Sequence, residues 1–157
     1  MNFREKREKK AFLALADGSV FHGYSVGALV DACGEAVFNT SLSGYQEILS
    51  EPSHAGQFVV MTAPEIGNVG VNEEDMKSQK FSVAGLVVRE LNEPSNWRSS
   101  ESLQAALVRY NTPAIAGVDT RALTLLLREK GRQKAFICTT GKVEPEEAVK
   151  KANRMEA

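Results

Sequence analysis

Val83-Ala84-Gly85-Leu86-Val87-Val88, then Ser100-Glu101-Ser102-Leu103-Gln104-Ala105-Ala106-Leu107-Val108-Arg109-Tyr110, then Ala114-Ile115-Ala116-Gly117-Val118, decide the fold class of this 157-residue chain. The first run is apolar and rich in β-branched residues, as in a strand covered on both faces. In the second, Leu103, Ala106 and Leu107 recur at i, i+3, i+4, the spacing of a helix with one apolar face. The third is a short strand behind Pro113. Strand, helix, strand at this spacing predicts parallel pairing, because antiparallel neighbours need only a short turn.

Reading outward, Gln57–Thr62 is a second continuous apolar run, bounded by Gly56 and Pro64, and Glu35–Asn39 is another strand. Near the start, Ala11–Leu15 and Ser19–Gly23 flank Asp17-Gly18, a hairpin signal because both turn positions tolerate positive φ. Beyond residue 118, Asp119 or Thr120 can cap a helix running to about Lys130, with Leu123, Leu126 and Leu127 on one face. Arg128 and Lys130 sit in its last turn, where the helix dipole favours cations, and Gly131 is the expected left-handed residue after it. Lys134–Thr139 is a final strand. Pro145, followed by Glu146 and Glu147, opens a last helix with Ala148, Val149, Ala152 and Met155 as its apolar stripe. A strand-rich first half and an alternating second half predict an α/β domain with sheets in two layers and helices packed on one of them.

Composition narrows the function classes. Hydrophobic residues make up 43% and charged residues 25%, as in globular domains, and one domain's worth of chain is present. Nineteen basic residues against twenty acidic ones leave a net charge of −1, so no overall field draws the chain to nucleic acid or an anionic membrane. No apolar run is long enough for a membrane span. Residues 1–10 are charged and lack the apolar stretch of a secretory signal, so they are read as a flexible tail ahead of a domain spanning 11–157. With only Cys33 and Cys138, no disulfide scaffold is expected, and a cytoplasmic protein is the default.

Catalytic motifs are sparse. His22, His54, Cys33 and Cys138 have no metal-ligand spacing, so no metal site is expected. His22 reads as a half-buried strand histidine. Thr139-Thr140-Gly141-Lys142 resembles the tail of a phosphate loop, but the glycine required at position 136 is a phenylalanine. Pro64–Gly70 reads as a turn after a buried strand. Cys33 is flanked by Asp31 and Glu35 where a nucleophile elbow needs small residues, and Cys138 lies in a strand; both read as buried hydrophobes or bystanders. Ser53-His54, with an acid such as Asp119, would make a hydrolase only if the three met in space. By itself Ser53 reads as a turn or helix cap after Pro52. No self-contained catalytic apparatus emerges, so no catalytic residue is assigned.

Ala36–Leu49, followed by Glu51-Pro52-Ser53, resembles the signature stretch of the small subunit of glutamine-dependent carbamoyl-phosphate synthetase. The resemblance extends through Pro64-x-Ile66-Gly67-Asn68-x-Gly70, Gly85–Arg89, Asp119–Thr124 and Leu127–Gly131. It implies a swivelling β/β/α three-layer domain: two stacked sheets, one mixed or parallel, plus a helical layer. It implies the amino-terminal domain of that subunit, which borders the glutamine cleft and docks to the large subunit. The family's carboxy-terminal amidotransferase domain, with its Cys-His-Glu set, has no match here, so these 157 residues alone are expected to be inactive. In the family the subunit releases ammonia from glutamine. The large subunit joins the ammonia to bicarbonate using two ATP, making carbamoyl phosphate for arginine and pyrimidine synthesis. The implied partners are therefore the large subunit, the amidotransferase domain and glutamine. No cofactor is implied here, ATP and Mg being used by the large subunit. The matching position assigns glutamine contact to Ser53 and places Gly44, Tyr45, Gln46 and Glu47 beside the same loop. The alternative is a stand-alone binding domain of the same fold with no catalytic role.

Overall fold

The computed structural model describes residues 10–40, 45–62, 80–90 and 103–154. Its strands are β1 (Lys10–Leu15), β2 (Val20–Ser25), β3 (Ala32–Asn39), β4 (Gln57–Met61), β5 (Gly85–Val87), β6 (Ala114–Ala116) and β7 (Gln133–Cys138). Its helices are α1 (Tyr45–Ser50), α2 (Leu103–Arg109), α3 (Thr120–Lys130) and α4 (Pro145–Asn153), with a single 3-10 turn at Pro52–His54. The expected tail, the Pro64–Gly70 turn, Gly44 and Met155 lie outside the described residues.

The strands close into one barrel in the order β1-β2-β6-β5-β4-β3-β7. This corrects the expectation of two stacked sheets with a helical layer. β7 pairs antiparallel with both β1 and β3, and β2 pairs antiparallel with both β1 and β6, so no edge separates two sheets. The predicted parallel pairing joins β5 to β6, and β3, β4 and β5 also run parallel to one another.

Alternation along the strands explains why the runs are apolar throughout. One face fills the barrel: Leu13 and Leu15, Phe21, Ala36, Phe58 and Val60, Val87, Ile115, Ala135 and Ile137. Leu123 and Leu127 of α3 join that core and close one end of it. The other face lies under helices. Val59, Met61, Leu86, Val88, Ala114 and Ala116 pack with Leu103, Ala106 and Leu107 of α2 and Leu49 of α1. Phe12, Ala14, Phe136 and Cys138 pack under Ala148 and Ala152 of α4. The helices thus lie on different sides of the barrel rather than in a single layer.

Local chemistry sets the turns. Gly18 takes φ 99°, but Asp17 keeps negative φ and works through its carboxylate instead, which accepts from Ser19 N at 2.8 Å. Asp119 caps α3, accepting from Ala122 N at 3.0 Å. Gly131 has φ 81° with ψ −174°, so it is extended beyond the positive-φ turn rather than left-handed helical; its N–H donates to Leu127 O.

Lys130 Nζ reaches Asp17 Oδ2 at 3.0 Å, tying α3 to the β1–β2 hairpin. Burial alone would raise the Asp17 pKa, but the hydrogen bonds from Ser19 N and Lys130, with the Lys130 charge behind them, outweigh it and hold the carboxyl below its usual range. A lowered folded pKa means that the contribution is present above the unfolded value and lost as pH falls through the folded one. Lys130→Met is therefore expected to cost less than about 1 kcal/mol at neutral pH, with the difference fading below roughly pH 4. Thermal melts of both proteins across that range check this; an equal difference at every pH would contradict it.

Candidate functional site

Ser53 stands in the 3-10 turn between α1 and β4. Pro52 fixes the first position of that turn by its locked φ. The cap is not Ser53 but Glu51, whose Oε1 accepts from Ser53 N at 3.3 Å. His54 N donates to Glu51 O at 3.0 Å and Ala55 N to Pro52 O at 3.1 Å. Both flanks are anchored. Ser82 N donates to Leu49 O at 2.7 Å, and Ser82 Oγ to Ser50 O at 3.1 Å. On the other side Glu35 N donates to Gly56 O, and Ala55 bridges Val83. Ser53 is exposed, and among the described residues its hydroxyl has no protein partner. The arrangement presents a hydroxyl, able to donate or accept, at the surface of an anchored turn.

Two pieces of this site were not foreseen. The helix α1 is only six residues long, too short for periodicity to reveal it. Glu51 as the cap could have been found from an acid two residues before a serine, the pattern of a side chain bonding local backbone.

The hydrolase set does not assemble. Ser53 and His54 precede β4, while Asp119 follows β6. Because β4, β5 and β6 run parallel, these residues lie at opposite ends of the barrel, roughly 15 Å apart along the strands. His54 Nδ1 instead meets Gln57 Oε1 at 2.9 Å, and Asp119 caps α3.

The other candidates are occupied structurally. The Asp31 carboxylate accepts from Thr139 N at 2.9 Å, Thr140 N at 3.2 Å and Thr140 Oγ1 at 2.8 Å, so the donors a phosphate would need already serve an internal acid. Cys138 is buried as expected, but Cys33 is exposed. Partial burial pushes the Cys33 thiol up, against the pull of Lys151, so it carries little thiolate at neutral pH. His22 is exposed rather than half-buried, its ring 6.0 Å from that of Phe12. Among the described residues no group of three or more His, Cys, Asp or Glu could hold a metal ion.

Residues 13–137 match the family described as carbamoyl-phosphate synthase small chain, CPSase domain. The chain is 54% identical over 144 residues to a carbamoyl phosphate synthase small chain of Thermotoga maritima, covering 91% of this chain and 36% of that protein. It is 57% identical over 132 residues to the small chain of Neisseria gonorrhoeae, covering 82% of this chain and 34% of the relative. It is 51% identical over 148 residues to that of Aquifex aeolicus, covering 94% and 40%. The chain thus spans between 34% and 40% of the length of these curated relatives. With a match running from β1 through β7, this chain belongs to the carbamoyl-phosphate synthase small chain family and carries its CPSase domain.

Proposed function

We propose that the chain is the amino-terminal domain of the glutaminase subunit of carbamoyl-phosphate synthase, docking to the large subunit and bordering the glutamine site. In this reading residues 11–157 form the domain, and a separate amidotransferase segment breaks the amide bond. The ammonia released is joined to bicarbonate on the large subunit at the expense of ATP, in the cytoplasm. Ser53 positions glutamine by a hydrogen bond and takes no part in bond breaking. The observation that carries this reading is the unpartnered Ser53 hydroxyl on a turn tied at both flanks, in a chain of this family. The backbone that carries the hydroxyl is already ordered, so little main-chain freedom is lost when it meets a ligand, which is what a positioning group requires.

The test uses the assembled full-length enzyme. Ser53→Ala is expected to raise KM for glutamine by roughly tenfold, the worth of one hydrogen bond. Ser53→Phe is expected to depress glutamine-dependent synthesis by about a hundredfold through misplacement of the substrate. Synthesis from free ammonia should stay intact in both. Equal loss of both activities with the complex still formed, or no loss of either, would overturn the role given to Ser53.

A further inference from the structure

Beside Ser53 stands Glu51, a carboxylate that the function given to the turn does not yet use. The turn Pro52–His54 has few donors to satisfy. Proline brings no N–H. His54 N donates to Glu51 O at 3.0 Å and Ala55 N to Pro52 O at 3.1 Å, so the backbone closes those two by itself. The N–H of Ser53 is left over, and Glu51 Oε1 takes it at 3.3 Å. Glu51 is half-buried, with extended backbone at φ −70° and ψ 118°, the conformation that lets a cap side chain fold back over the turn it precedes. Glu51 N donates in turn to Ile48 O at 3.4 Å, at the end of α1. At the far end of the turn His54 Nδ1 meets Gln57 Oε1 at 2.9 Å.

A serine in such a turn ordinarily spends its hydroxyl on local backbone, its own or a neighbour's. Here the carboxylate two residues earlier serves the leftover N–H, and among the described residues the Ser53 hydroxyl has no protein partner. We propose that Glu51 is a positioning residue for glutamine: it holds the Ser53 main chain by its N–H and so leaves the Ser53 hydroxyl to the substrate. Glu51 touches no reacting atom in this role; it acts through Ser53. The role needs an acceptor oxygen rather than a negative charge, so an amide or a shorter carboxylate at position 51 can serve in its place. At 3.3 Å the bond is long, so its loss costs a few-fold in binding rather than orders of magnitude. The proposal rests on the reading of Ser53 as the glutamine contact.

The experiment is a double-variant cycle on the assembled full-length enzyme. It reads KM for glutamine, kcat for glutamine-dependent synthesis, and synthesis from free ammonia. Glu51→Ala is expected to raise KM for glutamine about threefold to fivefold, with kcat at saturating glutamine and the ammonia reaction unchanged. Glu51→Gln and Glu51→Asp keep an acceptor and should recover most of that rise. In the Ser53→Ala background Glu51→Ala should add nothing, because the hydroxyl it serves is gone. If Ser53→Ala leaves KM unchanged, the reading of Ser53 falls, and the role of Glu51 with it. If Ser53→Ala raises KM but Glu51→Ala does not, only the role of Glu51 falls. Equal increments from Glu51→Ala in the two backgrounds would also overturn it, since Glu51 would then act without Ser53. Loss of the ammonia reaction in step with the glutamine reaction would show a role in the fold alone and overturn it too.

Discussion

Gly23→Ala is expected to lower the unfolding free energy by about 3 kcal/mol, at the upper end for an overpacked site. A Cβ at Gly23 would stand 2.3 Å from Ala116 O, 2.7 Å from Ile115 Cγ2 and 3.1 Å from Val118 Cγ2. The first of these is backbone, so no rotamer change relieves it; β2 and β6 must separate. That seam is short. Only Tyr24↔Ala116 and Ser25↔Ile115 pair across it, continued by Val26 N to Ala114 O and Ala28 N to Thr112 O. Pushing the strands apart exposes donors and acceptors that nothing else in the barrel can take. Melting should fall by roughly 6–12 °C for a chain of this size. Gly18→Ala is the control. That residue also has unusual backbone, φ 99°, but a Cβ there meets nothing within 4 Å, so its cost is the conformational penalty of about 1 kcal/mol. If the two variants melt together, the seam is not closed as described.

The same seam shows why the architecture was only partly legible. Parallel order from β5 to β6 follows from a local alternation of periods that any window covering residues 83–118 contains. The α3 cap at Asp119 and the apolar faces of α2 and α3 are likewise local. Closure is not. It depends on β7 lying between β1 and β3, and on the last residues of β2 reaching β6, contacts between segments about ninety residues or more apart in the chain. Strands such as β4, apolar on both faces, read identically as central strands of a layered sheet and as staves of a barrel wrapped by helices. For a related reason the sequence leaves Cys33 open between core and bystander: position 33 falls on the outward pleat of β3, and one residue of register decides between core and solvent.

Ser53 shows a different limit. Its local physics, a serine behind a proline, supports a turn and nothing more; only the resemblance across neighbouring stretches gave it a substrate. What the structure adds is the tie of that turn to Leu49, Ser50, Gly56 and Val83.

Phe58→Ala is expected to cost about 3–5 kcal/mol, the range for truncating a fully buried aromatic. Phe58 is 0% exposed and stands between two glycines on neighbouring strands. A Cβ at Gly34 would lie 3.0 Å from Phe58 Cε1, and one at Gly85 would lie 2.9 Å from Phe58 Cδ1 and 2.8 Å from Ile137 Cδ1. The ring thus occupies volume that side chains on β3 and β5 would otherwise fill, and no flexible neighbour on those strands can collapse into the space it leaves. This makes a sign test possible. Gly85→Ala in the wild-type background overpacks the barrel and should destabilise it by about 1–3 kcal/mol. In the Phe58→Ala background the ring is gone and the remaining close atom, Ile137 Cδ1, is a side-chain end that can shift into the vacated space, so the same substitution should cost less. A coupling energy of about 1 kcal/mol or more between the two sites is expected from denaturant unfolding of the four proteins. Additive costs would mean that the Phe58 ring does not fill the space between those glycines, and that the barrel interior is packed in some other way.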